Sequence, residues 1–226
     1  MTNNFSQELA NLIKKRRSVR QFDGRQIPKK DMASIVEAGI WAPSACNNQE
    51  LRFLILDEQN DVLEFVKFKS FFKKVPAIIL VFCDMSLPLS KKMYQGDDST
   101  RHLPYVDAGL AISNMILFAK SIGIDSCVVN LSNKHLKQEN PKKFMDKQME
   151  KLKRKINLYK IIERSMKFYL ANTLKLSGDL KIVCGIAFGY AEKYPDVNVE
   201  FHGGKRIMRE KVEHYLLNHG RDITRL

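Results

Sequence analysis

The residues best suited to chemistry stand in two short stretches. Residues 15–22 read KRRSVRQF, which places Arg16, Arg17, Ser18 and Arg20 close together. Guanidinium groups keep their charge at any physiological pH and offer paired donors, and a serine hydroxyl adds a compact neutral donor. Such a set can grip a phosphate, each charge-assisted contact contributing about 1.5–3 kcal/mol. Residues 42–49 read APSACNNQ. Ala42, Ser44 and Ala45 are small enough to let a flat ring approach. The amides of Asn47, Asn48 and Gln49 can donate and accept at the polar edge of a heterocycle. Each stretch alone also fits a plainer reading, a solvated charge run in one case and a polar loop after a helix in the other.

Other chemistries find less support. Neither G-x-G-x-x-G nor G-x-x-x-x-G-K-[ST] occurs, so ordinary Rossmann and P-loop readings fail. His102, His135, His202, His214 and His219 stand in polar or terminal settings, and no Ser/His/Asp constellation forms around them. Cys46, Cys83, Cys127 and Cys184 are scattered, without the spacing of a zinc site or the density of a secreted disulfide scaffold. Reduced, mostly structural thiols are expected.

The elements that would position the two stretches follow from hydrophobic spacing. Phe5, Leu9, Leu12 and Ile13 recur at helical intervals, so a first helix delivers the arginine run at its end. A second helix starts near Pro28, carries Met32, Ile35, Val36 and Ile40 on one face, stops at Pro43 and leads into the amide turn. RFLILD, AIILVFCD, SCVVNL and LKIVCGIAFGY are continuous apolar runs of strand length, which suggests a sheet covered on both faces. Between them VDAGLAISNMILFAKSIGI reads as a central core helix starting near Asp107 and ended by Gly123. Its small residues Ala108, Gly109, Ala111 and Ser113 suit close packing.

The 226 residues, 44% of them hydrophobic, are expected to form one domain over 1–226. The net charge of +13 favours anionic partners without choosing among them. Residues 134–167 carry twelve Lys or Arg against four Asp or Glu, a basic, amphipathic helical insertion at about 134–172. Its aromatic residues Phe144, Tyr159, Phe168 and Tyr169 fit core spacing better than a base-stacking platform, which argues against nucleic acid. The longest apolar run, Val75 to Cys83, falls far short of the ~20 residues of a membrane span. The first twelve residues lack the pattern of a secretory signal, so a cytoplasmic location is expected.

Taken in order, RRSVRQF, IVEAGIWAPSACNNQELRFLIL, VPAIILVFC, DAGLAISNMILFAKSIGIDSCVV and GIAFGYA resemble the nitroreductase-like family of FMN-dependent oxidoreductases. The resemblance spans nearly the whole chain except the basic insertion. It implies an α+β sandwich with a central, mostly antiparallel sheet flanked by helices, an intertwined homodimer, and FMN at each dimer interface. It implies flavin reduction by NADH or NADPH, then transfer to a nitroaromatic, quinone or similar flat acceptor, with no catalytic side chain and no metal. Carried over by position, Arg16, Arg17, Ser18 and Arg20 would hold the FMN phosphate and ribityl chain. Pro43, Ser44, Ala45, Asn47 and Gln49 would reach the isoalloxazine from the partner chain. Lys205 and Arg206, within GGKRIMREKVEHY, would complete the phosphate grip, Arg209 being the competing assignment.

Two departures stand out. Where many family members have proline and an aromatic after the glutamine, this chain has Glu50 and Leu51. The segment that supplies backbone donors near the flavin N5 in many relatives is replaced or displaced by the basic insertion. A specialised flavoenzyme of the same fold, and a basic interaction protein, are the alternative readings.

Overall fold

The computed structural model describes residues 4–66, 72, 74–95, 100, 102–130 and 180–195. The sheet is built from β2 (Leu51–Leu56), β3 (Ala77–Asp84), β4 (Asp125–Asn130) and β5 (Leu180–Gly189). Its order is β2-β3-β5-β4 and every neighbouring pair runs antiparallel. The four apolar runs of the sequence are these strands. The central pair is dry because β3 is buried along almost its whole length.

The sheet separates two hydrophobic clusters. Ile78, Leu80 and Phe82 of β3 pack on one face with Val19, Phe22, Val62 and Phe72. Ile79 and Val81 face the other way, onto Met32, Ile35, Ala108, Met115 and Ala119. A register shift between Val81 and Phe82 pairs them with Cys184 and Ile182, so Val183 is the extra residue on β5. A bulge of this kind switches which face the side chains point to. Ile182 accordingly lies in the first cluster and Cys184 in the second.

Helix α2 (Lys29–Ile40) and helix α5 (Leu103–Ser121) cover the second face. They approach closely at Gly39, where a Cβ would come within 2.8 Å of the Met115 side chain. α5 starts one turn before the expected Asp107, because Pro104 is well placed in a first turn that has no use for its missing N–H. At its end Gly123 takes a φ of 81°, the left-handed turn that closes a helix. Of the four small residues, Ala108 and Ala111 are fully buried, whereas Gly109 and Ser113 are exposed.

The remaining elements are small. α1 (Asn4–Lys15) precedes β1 (Gln21–Phe22), which pairs antiparallel with β6 (Ala191–Lys193). α3 (Gln59–Val66) follows β2, and α4 (Pro88–Gln95) follows β3. The basic insertion at 134–172 lies outside the described residues.

Candidate functional site

The arginine stretch is fixed by its backbone. Arg16 N–H closes the last turn of α1 on the Leu12 carbonyl at 3.1 Å. Arg17 Nη1 donates to the carbonyls of Lys14 at 2.5 Å and Arg16 at 2.9 Å, so one arm of that guanidinium caps the helix end. The chain then extends beside β4: Ser18 bridges to Ser126, and Val19 N–H donates to the Ser126 carbonyl at 3.0 Å. Val19 and Phe22 point into the core, leaving Arg16, Arg17, Ser18 and Arg20 half-buried around them. Arg20 Nη1 donates to the Ser18 carbonyl at 3.2 Å. Burial pushes the Cys127 thiol up, while Arg20 and Arg16 pull it the other way, which places both cations within electrostatic reach of β4.

The amide turn is fixed differently. After α2, Ser44 is extended and Ala45–Asn47 form a single 3₁₀ turn. Cys46, Asn47 and Gln49 take φ values of 52°, 53° and 52°, left-handed conformations that residues with a Cβ adopt at a cost of about 1–2 kcal/mol each. Specific bonds offset that cost. Ser44 Oγ accepts from Gln49 N–H at 3.0 Å, and the Ser44 carbonyl accepts from Asn47 N–H at 2.9 Å. The Ser44 hydroxyl therefore closes the turn. Asp107 Oδ2 on α5 accepts from Ala45 N–H at 2.9 Å, and Asn48 Nδ2 donates to the buried Ser90 Oγ at 2.8 Å. Pro43, Asn47 and Gln49 are exposed, and the Asn47 and Gln49 side-chain amides make no hydrogen bond among the described residues. They are the groups the turn presents outward.

Below the turn lies a feature that spacing alone does not flag. Glu50 is completely buried, with Asp107 beside it at 4% exposure. Burial, then the hydrogen bond and charge of Asp107, hold the Glu50 carboxyl above the ordinary glutamate range. At the same strand end Asp84 N–H donates to the Glu50 carbonyl at 2.8 Å. Arg52 bridges from Asp84, at 3.0 Å, to the Gln49 carbonyl, at 2.9 Å. The only signal in the sequence is an acid standing between an amide turn and an apolar strand.

One chain does not bring the two stretches together. The turn is tied to Asp107 near the start of α5, and the arginines are tied to Ser126, just past its end. The rise of a helix over Asp107 to Ser121 separates these anchors by roughly 20 Å. Lys205 and Arg206 lie outside the described residues. Large apolar side chains remain uncovered on α1 (Phe5, Leu9, Ile13), after α2 (Trp41) and on α5 (Tyr105, Leu110), with Trp41 80% exposed.

Comparisons with known proteins agree with this architecture. The model of the nitroreductase family matches residues 13–68 and 58–190. A relative from Archaeoglobus fulgidus, provisionally named an NADH dehydrogenase/NAD(P)H nitroreductase, is 30% identical over 123 residues. That alignment takes in 53% of this chain and 66% of the relative, so the chain spans just under two thirds of it. Among solved structures, a provisionally named nitroreductase from Desulfovibrio desulfuricans in complex with FMN superposes with a TM-score of 0.60 at 21% identity, covering 95% of this chain and 98% of that one. An FMN-dependent nitroreductase from Clostridium difficile gives 0.57 at 21% identity, covering 86% and 99%.

Proposed function

Because the chain belongs to the nitroreductase family, we propose that it is an FMN-dependent NAD(P)H oxidoreductase that passes electrons to a nitroaromatic, quinone or similar flat acceptor. The observation that carries this reading is the half-buried group Arg16, Arg17, Ser18 and Arg20, fixed against β4 on that scaffold. Its donors suit a phosphate dianion, and the outward amides of Asn47 and Gln49 suit a heterocycle edge. When bound, FMN supplies the hydride chemistry, so no side-chain nucleophile or base is required. The chain's own part is to hold the phosphate, orient the ring and exclude water.

The separation of the two stretches supports a homodimer in which the turn of one protomer meets the arginines of its partner. The uncovered apolar faces of α1 and α5 support the same arrangement, since an amphipathic stripe left bare in one chain seeks another surface. Pro43, Ser44 and Ala45 then shape the ring side, and the family resemblance assigns Lys205 and Arg206 to the phosphate. We read 1–226 as one cytoplasmic domain; among the described residues no helix is long and apolar enough to cross a membrane.

The test is direct. The purified protein is expected to be yellow, with flavin absorbance that bleaches when NADPH or NADH is added without oxygen and returns with a quinone or nitroaromatic. A colourless protein that takes up no added FMN would refute the proposal.

A further inference from the structure

The Glu50 carboxyl is the group whose surroundings fit its ordinary charge least. It is 0% exposed, and neither oxygen has a well-formed hydrogen bond to a donor. Asn48 and the backbone N–H of Glu50 itself are near, but Asn48 Nδ2 is engaged by Ser90 and neither is well aimed. From α5 it faces Asp107, and from β3 it faces the Cys83 thiol, while Asp84 is joined to it through the backbone bond to the Glu50 carbonyl. Asp84 is held as an anion by Ser86 first and then by Arg52. Cys83 is pushed up to about 12 by burial and by Glu50, so it stays a neutral thiol, and Lys181 on β5 acts only weakly against that shift. An anion without donors beside a second carboxylate is strongly disfavoured, and two carboxyl groups buried side by side hold one proton between them.

We propose that Glu50 is a neutral carboxylic acid whose O–H donates to the Asp107 carboxylate, and that this shared proton sets the conformation of the ring-facing turn. Asp107 is the member that keeps the charge, because it already accepts the Ala45 N–H. Glu50 is the member that must stay neutral, and it directly follows Gln49 with its φ of 52°. Loss of the proton drives Glu50 away from Asp107 towards water. That movement turns the Gln49–Glu50 peptide, breaks the bond from Arg52 Nη1 to the Gln49 carbonyl and re-aims the outward amide. Glu50 is thus a positioning residue, and this role rests on the reading of 42–49 as the ring-binding half.

The test compares wild type with Glu50→Gln, whose amide mimics the neutral acid. An acid with a raised folded pKa contributes fully below its unfolded value, ordinarily 4.5, and loses that contribution as pH rises through the folded value. Glu50→Gln is therefore expected to gain in melting temperature over wild type as pH rises from 5 to 9; parallel profiles would overturn the proposal. Infrared spectra of wild type alone should show a protonated carboxylic acid band at neutral pH, and its absence would overturn the proposal even if the variant failed to fold. FMN affinity, read from fluorescence quenching, should fall with pH in wild type by up to about tenfold per unit, the limit for one linked proton, and stay flat in Glu50→Gln. Matching pH profiles for FMN would overturn the positioning role. Failure of both proteins to bind FMN at every pH would strike the reading of the turn, while the melting and infrared arms still decide the protonation of Glu50.

Discussion

The arginine stretch and the amide turn both leave the end of an amphipathic helix, yet they are built on opposite principles. At residues 16–20 the backbone is ordinary, docked on β4 at Ser18 and Val19 with Val19 in the core, and the chemistry lies in long cationic side chains. At residues 44–50 the side chains are short, and the chemistry lies in a left-handed backbone held by Ser44, Asp107 and Ser90. The first region should tolerate substitution structurally and lose function locally. The second should lose its shape cooperatively, because each bond offsets backbone strain that the others also share.

Breaking the cationic side should have the largest effect on binding. Arg16→Ala and Arg20→Ala are each expected to weaken FMN binding by tenfold or more, the loss of a charge-assisted contact of about 1.5–3 kcal/mol, with melting temperature little changed. Titration of apoprotein by fluorescence quenching measures it, and unchanged affinity in both variants would show the phosphate to be elsewhere. On the turn side, Asp107→Ala leaves the Ala45 N–H unsatisfied and should lower stability by about 1–3 kcal/mol in urea denaturation while also weakening FMN. An effect on only one of these readouts would break the claimed link between shape and binding.

Smaller changes sharpen the contrast. Ser44→Ala removes the hydroxyl that accepts from Gln49 N–H and should cost about 1 kcal/mol of stability, read from the denaturation midpoint. The pH dependence of the same region should run in two directions. Hydrogen bonds from Ser86, then the charge of Arg52, hold Asp84 below its ordinary 3.8, so its contribution is complete above that value and is lost as pH falls. Glu50 acts in the opposite sense and destabilises as pH rises above 4.5. Stability of Glu50→Gln should therefore lose only the alkaline decline, and a variant that also flattened the acid side would contradict the assignment. Arg52→Ala should matter least, under about 1 kcal/mol, because its guanidinium is largely exposed where it meets Asp84.

Much of this was legible in the residues because hydrophobic period and element type coincide. AIILVFCD is apolar without alternation, which only a strand covered on both faces requires, and β3 is that strand. The helix from Asn4 was legible from Phe5, Leu9, Leu12 and Ile13, but not that this stripe would face outward. Spacing identifies an apolar face without naming what covers it. α5 starts a turn before the expected Asp107, where Leu103 and Pro104 carry no period of their own. The Glu50–Asp107 contact joins residues 57 positions apart and depends on tertiary placement that no local pattern encodes. The left-handed values at Cys46, Asn47 and Gln49 were equally hidden, since only a glycine would have announced them.

The central claim is that each site takes its arginines from one protomer and its turn from the other, and subunit mixing tests it most directly. One variant carries Arg16→Ala with Arg20→Ala, the second Asn47→Ala with Gln49→Ala, and each alone should bind FMN poorly. Unfolding and refolding them together in equal amounts should restore about a quarter of the wild-type FMN capacity, because half the dimers are mixed and each mixed dimer has one intact site. Mixed dimers that form but recover no FMN binding would contradict the account, placing both halves of the site in a single chain.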